Sequence, residues 1–139
     1  MFEVRVEAEF SAAHFLRDYN GKCERLHGHN YTVFAHVRGS ALDEGGMLLD
    51  FSKLKSALRG VCAGLDHTNL NDMECFMQNP SAERIALYVF DALVRRLAEQ
   101  GVDVSGSVRP GAACLYAVDV FETGSSRARY CIDDKCLRK

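Results

Sequence analysis

From Phe2 to Phe10 apolar and charged residues alternate, with Phe2, Val4, Val6, Ala8 and Phe10 at even positions and Glu3, Arg5, Glu7 and Glu9 between them. A period of two residues predicts a half-buried antiparallel strand. The pattern returns on odd positions at Tyr31, Val33, Ala35 and Val37, and Gly39 ends it. Between the two strands, DYNGK (18–22) contains the turn dipeptide Asn-Gly. The first forty residues therefore read as a hairpin with a decorated connection.

The period then lengthens. Phe51, Leu54, Leu58, Val61 and Leu65 fall at helical spacing, with Asp50 placed to cap the first turn. LDHTNLND breaks that helix. NPSAE predicts the start of a second one, with Asn79 as cap and Pro80 in the first helical position. Ala82, Ile85, Ala86, Val89, Phe90, Leu93 and Leu97 form its apolar stripe, and Gly101 stops it. Two strands follow. In Ala113–Phe121 the even positions Cys114, Tyr116, Val118 and Val120 lead to Glu122. In the last strand Ala128, Tyr130 and Ile132 alternate with Arg127 and Arg129, and DDKCLRK is a polar tail. The order ββααββ predicts one α+β domain over 1–139: a four-stranded antiparallel sheet with two helices packed on one face. Its open edges invite association between copies.

Composition narrows the function. A net charge of −2 without a dense basic stretch leaves no electrostatic footprint for nucleic acid. No apolar run is long enough for a membrane span, and MFEVRVEAEF lacks the uninterrupted core of a signal peptide. A cytoplasmic protein is the expectation, with its six cysteines reduced. None of the six forms a CxxC pair, which argues against a four-cysteine zinc ribbon.

The chemistry concentrates in CERLHGHNY (23–31). His27 and His29 share the parity of Tyr31 and Val33, and His14 shares that of Phe10 and Ala12, so an antiparallel hairpin brings three imidazoles to the covered face. Three histidines on a rigid sheet make a catalytic zinc arrangement, with the fourth position left for water or substrate. Gly28 is expected to keep the space between two of them clear. Cys23 reads either as a core thiol or as a group that a nearby cation activates. Asp66 and His67 read either as a cap with an exposed histidine or as a carboxylate–imidazole pair, which irregular backbone would have to bring together. Glu122 ends an apolar strand on the covered face, where a carboxylate needs a partner. Its two oxygens suit a ligand edge with two N–H donors, such as that of a pterin. His36 has the parity of the open face and is assigned no role.

Taken together, FSAAH (10–14), CERLHGHNY (23–31), LDFSKLK (49–55), LDHTNLN (65–71), NPSAE (79–83) and FET (121–123) resemble the 6-pyruvoyltetrahydropterin synthase superfamily. The C-x3-HGH spacing looks most like its queuosine-pathway branch, the 6-carboxy-5,6,7,8-tetrahydropterin synthases. The resemblance implies the tunnelling fold and a homohexamer built as a dimer of trimers through sheet edges. It implies a Zn2+ ion on His14, His27 and His29, and Cys23, His67, Asp66 and Glu122 as catalytic residues. Glu122, Glu83 and Ser81 would contact the substrate, 7,8-dihydroneopterin triphosphate, which would yield 6-carboxy-5,6,7,8-tetrahydropterin, triphosphate and acetaldehyde. A 6-pyruvoyltetrahydropterin synthase, which keeps all three side-chain carbons, and a non-catalytic pterin- or metal-binding module are the competing expectations. The chain departs from the family pattern at Ala82 and Arg84, where threonine and asparagine are common.

Overall fold

Why the hairpin is long follows from its register. The computed structural model describes residues 1–132. Strands β1 (Phe2–His14) and β2 (His27–Gly39) pair antiparallel over their full length, from Phe2 opposite Gly39 to His14 opposite His27. Each strand presents its predicted apolar set to one side; Val6, Ala8, Phe10 and Ala12 of β1 and Tyr31, Val33, Ala35 and Val37 of β2 are buried, whereas Val4 is partly buried and Phe2, at the start of β1, is exposed. That face is covered by α1 (Phe51–Ala63) and α2 (Ala82–Glu99), whose stripes of Leu54, Leu58 and Val61 and of Ile85, Val89, Leu93 and Leu97 complete a single core. Burying each such side chain contributes roughly 1.5–3 kcal/mol.

The helix starts differ in detail. Asp50 caps α1 as expected, accepting from the Ser52 N–H at 2.8 Å, whereas Phe51 stands outside the buried stripe, exposed in the first turn. The cap of α2 is Ser81, not Asn79, so Pro80 lies before the helix. Asn79 instead bonds the backbone of Arg17.

The sheet has five strands where four were expected. A two-residue strand, β3 (Thr68–Asn69), lies parallel to β1 beside Ala12 and Ala13, and β4 (Cys114–Thr123) and β5 (Ser126–Cys131) complete the order β3–β1–β2–β4–β5. Two residues leave no periodicity to read. They dock because Asp66 and His67 bond the backbone of Ser11 just upstream. A register shift opposite His36 and Val37 places an extra residue in β4. Leu115 thereby takes the core position and Tyr116 turns to the open face, against the uniform alternation expected of this strand. The tail from 133 onward, with Cys136, lies outside the described residues. Among the described residues no helix is long and apolar enough to cross a membrane.

The open face is not uniformly solvated. His36 has the expected parity yet is buried, its Nε2 2.7 Å from Asp119 Oδ2. Arg129 grips the same carboxylate with two bonds of 2.8 Å. Burial pushes the Asp119 carboxyl up, but the bonds from Arg129 and His36 outweigh it and hold the group below the ordinary carboxylate range. Asp119 is buried whereas the Arg129 guanidinium stays in contact with solvent, so loss of the carboxylate removes its hydrogen bonds without stranding the arginine. Asp119→Ala should therefore cost about 2 kcal/mol in urea unfolding, the scale of hydrogen bonds to a charged group, with metal affinity at the opposite face unchanged.

Candidate active site

Strand parity alone brings His14, His27 and His29 together, and hydrogen bonding then fixes which nitrogens meet. His14 Nδ1 lies 2.8 Å from the Pro80 carbonyl, and His27 Nδ1 lies 2.6 Å from that of Arg25. A carbonyl only accepts, so both Nδ1 atoms carry hydrogen and both Nε2 atoms present lone pairs. Those two lone pairs face each other at 3.0 Å. His29 adds a third nitrogen, a buried Nε2 without a hydrogen-bond partner. Two lone pairs at that distance repel unless a cation stands between them. Burial holds His14 and His29 below the ordinary imidazole pKa of 6.5, against the pull of Glu122 on both, which disfavours a proton on either of those rings.

A metal ion fits this donor set. The three ligand atoms lie within 4.8 Å of one another. Tetrahedral zinc with bonds of about 2.1 Å needs neighbouring nitrogens roughly 3.4 Å apart, so small side-chain adjustments suffice. The carbonyls behind His14 and His27 are the outer partners that fix ring orientation in such sites. Gly28 has a different position from the one expected. It pairs with Ala13, sits on the exposed side, and a Cβ there would meet only the Ala12 carbonyl at 3.5 Å, so it does not clear space between the ligands.

Glu122 stands at the rim, Oε1 3.8 Å from His14 Nε2. A second register shift, between Phe121 and Thr123, places it at the end of β4 rather than within regular pairing. It is a quarter exposed and lines a recess of about 240 Å³ with Ser81, Ala82, Glu83 and residues 126–128 of β5. The expected substrate contacts Glu122, Glu83 and Ser81 thus share one recess. Ser81 Oγ is already engaged there as a helix cap, accepting the Arg84 N–H at 3.3 Å. Tyr31, read from sequence only as a core residue, is a further polar group at this end. Its ring packs edge-on to His14 and His29, and its hydroxyl is buried without a partner. No pattern in sequence separates such a tyrosine from a core one.

Cys23 sits half-buried on a single 3₁₀ turn, Lys22–Glu24, and is not among the clustered ligands. Cys62 lies in the core between the helices and the sheet, and burial pushes its thiol up to about 12. Asp66 and His67 do pair, Oδ2 to Nδ1 at 2.8 Å. His67 takes a left-handed backbone (φ 55°), which is the irregularity that turns sequence neighbours toward each other. The Ser11 N–H and then His67 hold the Asp66 carboxyl below its ordinary range. The dyad is exposed on the β3 edge, beside a groove of about 500 Å³ lined by Ser11, Gly28 and Asn30. Two strands therefore separate His67 from β4, the strand that carries Glu122.

Comparison with known proteins adds the family. A family model described as 6-pyruvoyl tetrahydropterin synthase matches residues 3–132. The chain is 39% identical over 126 residues to the 6-carboxy-5,6,7,8-tetrahydropterin synthase of Bacillus subtilis, covering 83% of this chain and 84% of that one. It is 38% identical over 135 residues to the enzyme of the same name from Synechocystis, covering 94% and 93%. The solved 6-pyruvoyl tetrahydropterin synthase of Caenorhabditis elegans is similar in fold, with a TM-score of 0.74 at 30% identity over 95% of this chain and 96% of that one.

The lowered pKa values of His14 and His29 have a signed consequence. The unfolded chain takes up protons on these imidazoles as pH falls through about 6.5, while the folded metal-free protein resists. Stability from this source is present above that pH and lost below it. The melting temperature of the metal-free protein should therefore fall between pH 6.5 and 5, above the window in which carboxylates such as Asp119 titrate, and His14→Gln should flatten that slope.

Proposed function

The chain belongs to the 6-pyruvoyl tetrahydropterin synthase family, and from that premise we propose that it is the carbon–carbon lyase of the queuosine branch, a 6-carboxy-5,6,7,8-tetrahydropterin synthase. Its substrate is 7,8-dihydroneopterin triphosphate. With one water, the reaction gives 6-carboxy-5,6,7,8-tetrahydropterin, acetaldehyde and triphosphate. One side-chain carbon stays as the carboxylate and two leave as the aldehyde. The ring and the departing two-carbon fragment together gain the electrons that the retained carbon loses, so no external reductant is needed. The observation that carries the enzymatic reading is the pair of opposed lone pairs on His14 and His27 with Glu122 at the rim. Likeness to the Bacillus and Synechocystis enzymes supports the choice of product.

Each residue has a task in this reading. His14, His27 and His29 hold Zn2+, which when bound supplies a Lewis acid and a template for the side-chain hydroxyls. Glu122 accepts two N–H groups of the pterin edge and so fixes the ring in the recess beside Ser81 and Glu83. Cys23 takes and returns protons at the substrate side chain, and His67, oriented by Asp66, relays them.

His67 is placed for this task by a second copy. The dyad hangs from the β3 edge, whereas the Glu122 recess is walled by β5, the opposite edge of the same sheet. Joining one copy's β1–β3 edge to the next copy's β5 sets one chain's His67 against the other's recess, and both open edges become paired. Three copies closing in this way, and two such rings stacking, give the homohexamer, whose mass light scattering would measure.

Product analysis by mass spectrometry, with and without chelator, tests the assignment. Chelator-sensitive 6-carboxytetrahydropterin with acetaldehyde is expected. A 6-pyruvoyl product would make the chain a 6-pyruvoyltetrahydropterin synthase, and no product from metal-loaded protein would make it a binding module. Cys23→Ala should abolish turnover with metal still bound. Glu122→Gln should raise KM roughly 10- to 100-fold, the scale of one or two charge-assisted hydrogen bonds.

A further inference from the structure

Between the histidine cluster and Cys23 lies a polar clasp that the proposed reaction does not use. The chain leaving His14 runs through Phe15, Leu16 and Arg17 without regular structure. Asn71 grips Phe15 by both backbone groups, its Oδ1 accepting from the Phe15 N–H at 2.8 Å and its Nδ2 donating to the Phe15 carbonyl at 2.9 Å. The same Nδ2 reaches the Gln78 carbonyl at 3.2 Å. Asn79 holds Arg17 in the same two-sided manner, at 3.3 and 3.4 Å. Arg84 closes the clasp from the first turn of α2, donating from Nη1 to the Phe76 carbonyl at 2.8 Å and to that of Asn79 at 3.3 Å.

The held segments end at the groups on which the site depends. Leu16, between the two gripped residues, donates its N–H to the Cys23 carbonyl at 2.7 Å, so the turn bearing the thiol hangs from the segment that Asn71 fixes. The loop that Arg84 braces contains Met77 and Gln78, both with left-handed backbone (φ 50° and 59°), a conformation non-glycine residues rarely adopt. That loop delivers Pro80, whose carbonyl sets the tautomer of His14. Arg84 stands where the family pattern commonly has asparagine, and its guanidinium is bound to the loop rather than lining the Glu122 recess.

We propose that Asn71 and Arg84 are positioning residues, Asn71 fixing His14 and Cys23 relative to each other through Phe15 and Leu16, and Arg84 fixing His14 through Pro80. The inference rests on the reading of the histidines as a metal site and of Cys23 as the proton-moving thiol. Its test needs no pterin. Co2+ affinity is measured by competition with a chromophoric chelator, and the pH dependence of Cys23 alkylation is followed by peptide-resolved mass spectrometry, which separates it from exposed Cys75 and Cys131.

Asn71→Asp keeps an acceptor for the Phe15 N–H but sets a carboxylate against two carbonyls. It should weaken Co2+ binding 10- to 100-fold, the range for partners behind metal ligands, and displace the alkylation profile. Arg84→Ala should weaken Co2+ binding about 10-fold with the alkylation profile kept, and Arg84→Lys, which retains a donor, should recover most of the loss. Folded variants that match the parent in both readouts and differ only in melting temperature would overturn the proposal. Should Asn71→Asp fail to fold, the two Arg84 variants decide Arg84, and Asn71→Ser, with a shorter donor and acceptor, decides Asn71. A parent that binds no Co2+ would overturn the metal reading, whereas an inactive parent that binds it would overturn only the reaction.

Discussion

Everything at the functional end of this molecule depends on two nitrogen lone pairs held 3.0 Å apart. The carbonyls of Pro80 and Arg25 take the Nδ1 hydrogens of His14 and His27, which leaves the two Nε2 atoms as acceptors aimed at each other. The arrangement is unfavourable without a cation, and burial disfavours a proton on His14. Local repulsion of this kind survives only because the surrounding sheet is rigid. Thirteen residue pairs of unbroken register hold the two strands, and the helices anchor them from one side. A fold stable enough to impose that geometry is what turns three ordinary imidazoles into a donor set that fits a metal ion.

The same sheet divides the remaining chemistry. Register and bulges put Glu122 at the β5 side, with its recess, while the Asp66–His67 dyad docks on the β3 side through the backbone of Ser11. A single chain carries both halves and cannot bring them face to face, since β1 and β2 stand between. In the proposed assembly, edge pairing between copies would remove two physical problems together, the unpaired backbone of the edges and the separation of the Asp66–His67 pair from the recess. The open face has its own organisation. Asp119, buried there, joins His36 to the more exposed Arg129, and this cluster stabilises the sheet without approaching His14, His27 and His29.

How much of this could be read in advance depended on the range of the interaction. Alternation in Phe2–Phe10 and Tyr31–Val37, and the helical stripes after Asp50 and in 82–97, report a side chain's relation to the nearest apolar layer, which is a local property of the backbone. They determined the two helices, the four long strands and the covered face. Parity also determined that His14, His27 and His29 converge, and the family motifs named Cys23, Asp66, His67 and Glu122.

Other features turned on contacts between distant segments, which no local period records. The extra residue that sends Tyr116 to the open face, the fifth strand beside Ala12, and the burial of His36 by Asp119 were decided by strand register and by partners up to 83 residues away. The cap of α2 passed from Asn79 to Ser81 because Asn79 is drawn to the backbone of Arg17. Gly28 faces away from the ligands for a reason parity contains but the motif conceals: it alternates with them. The sequence by itself determined which residues share a face. Tertiary structure alone decided which nitrogen of each histidine points inward, because the carbonyl of Pro80 reaches His14 only when the chain has folded back across 66 residues.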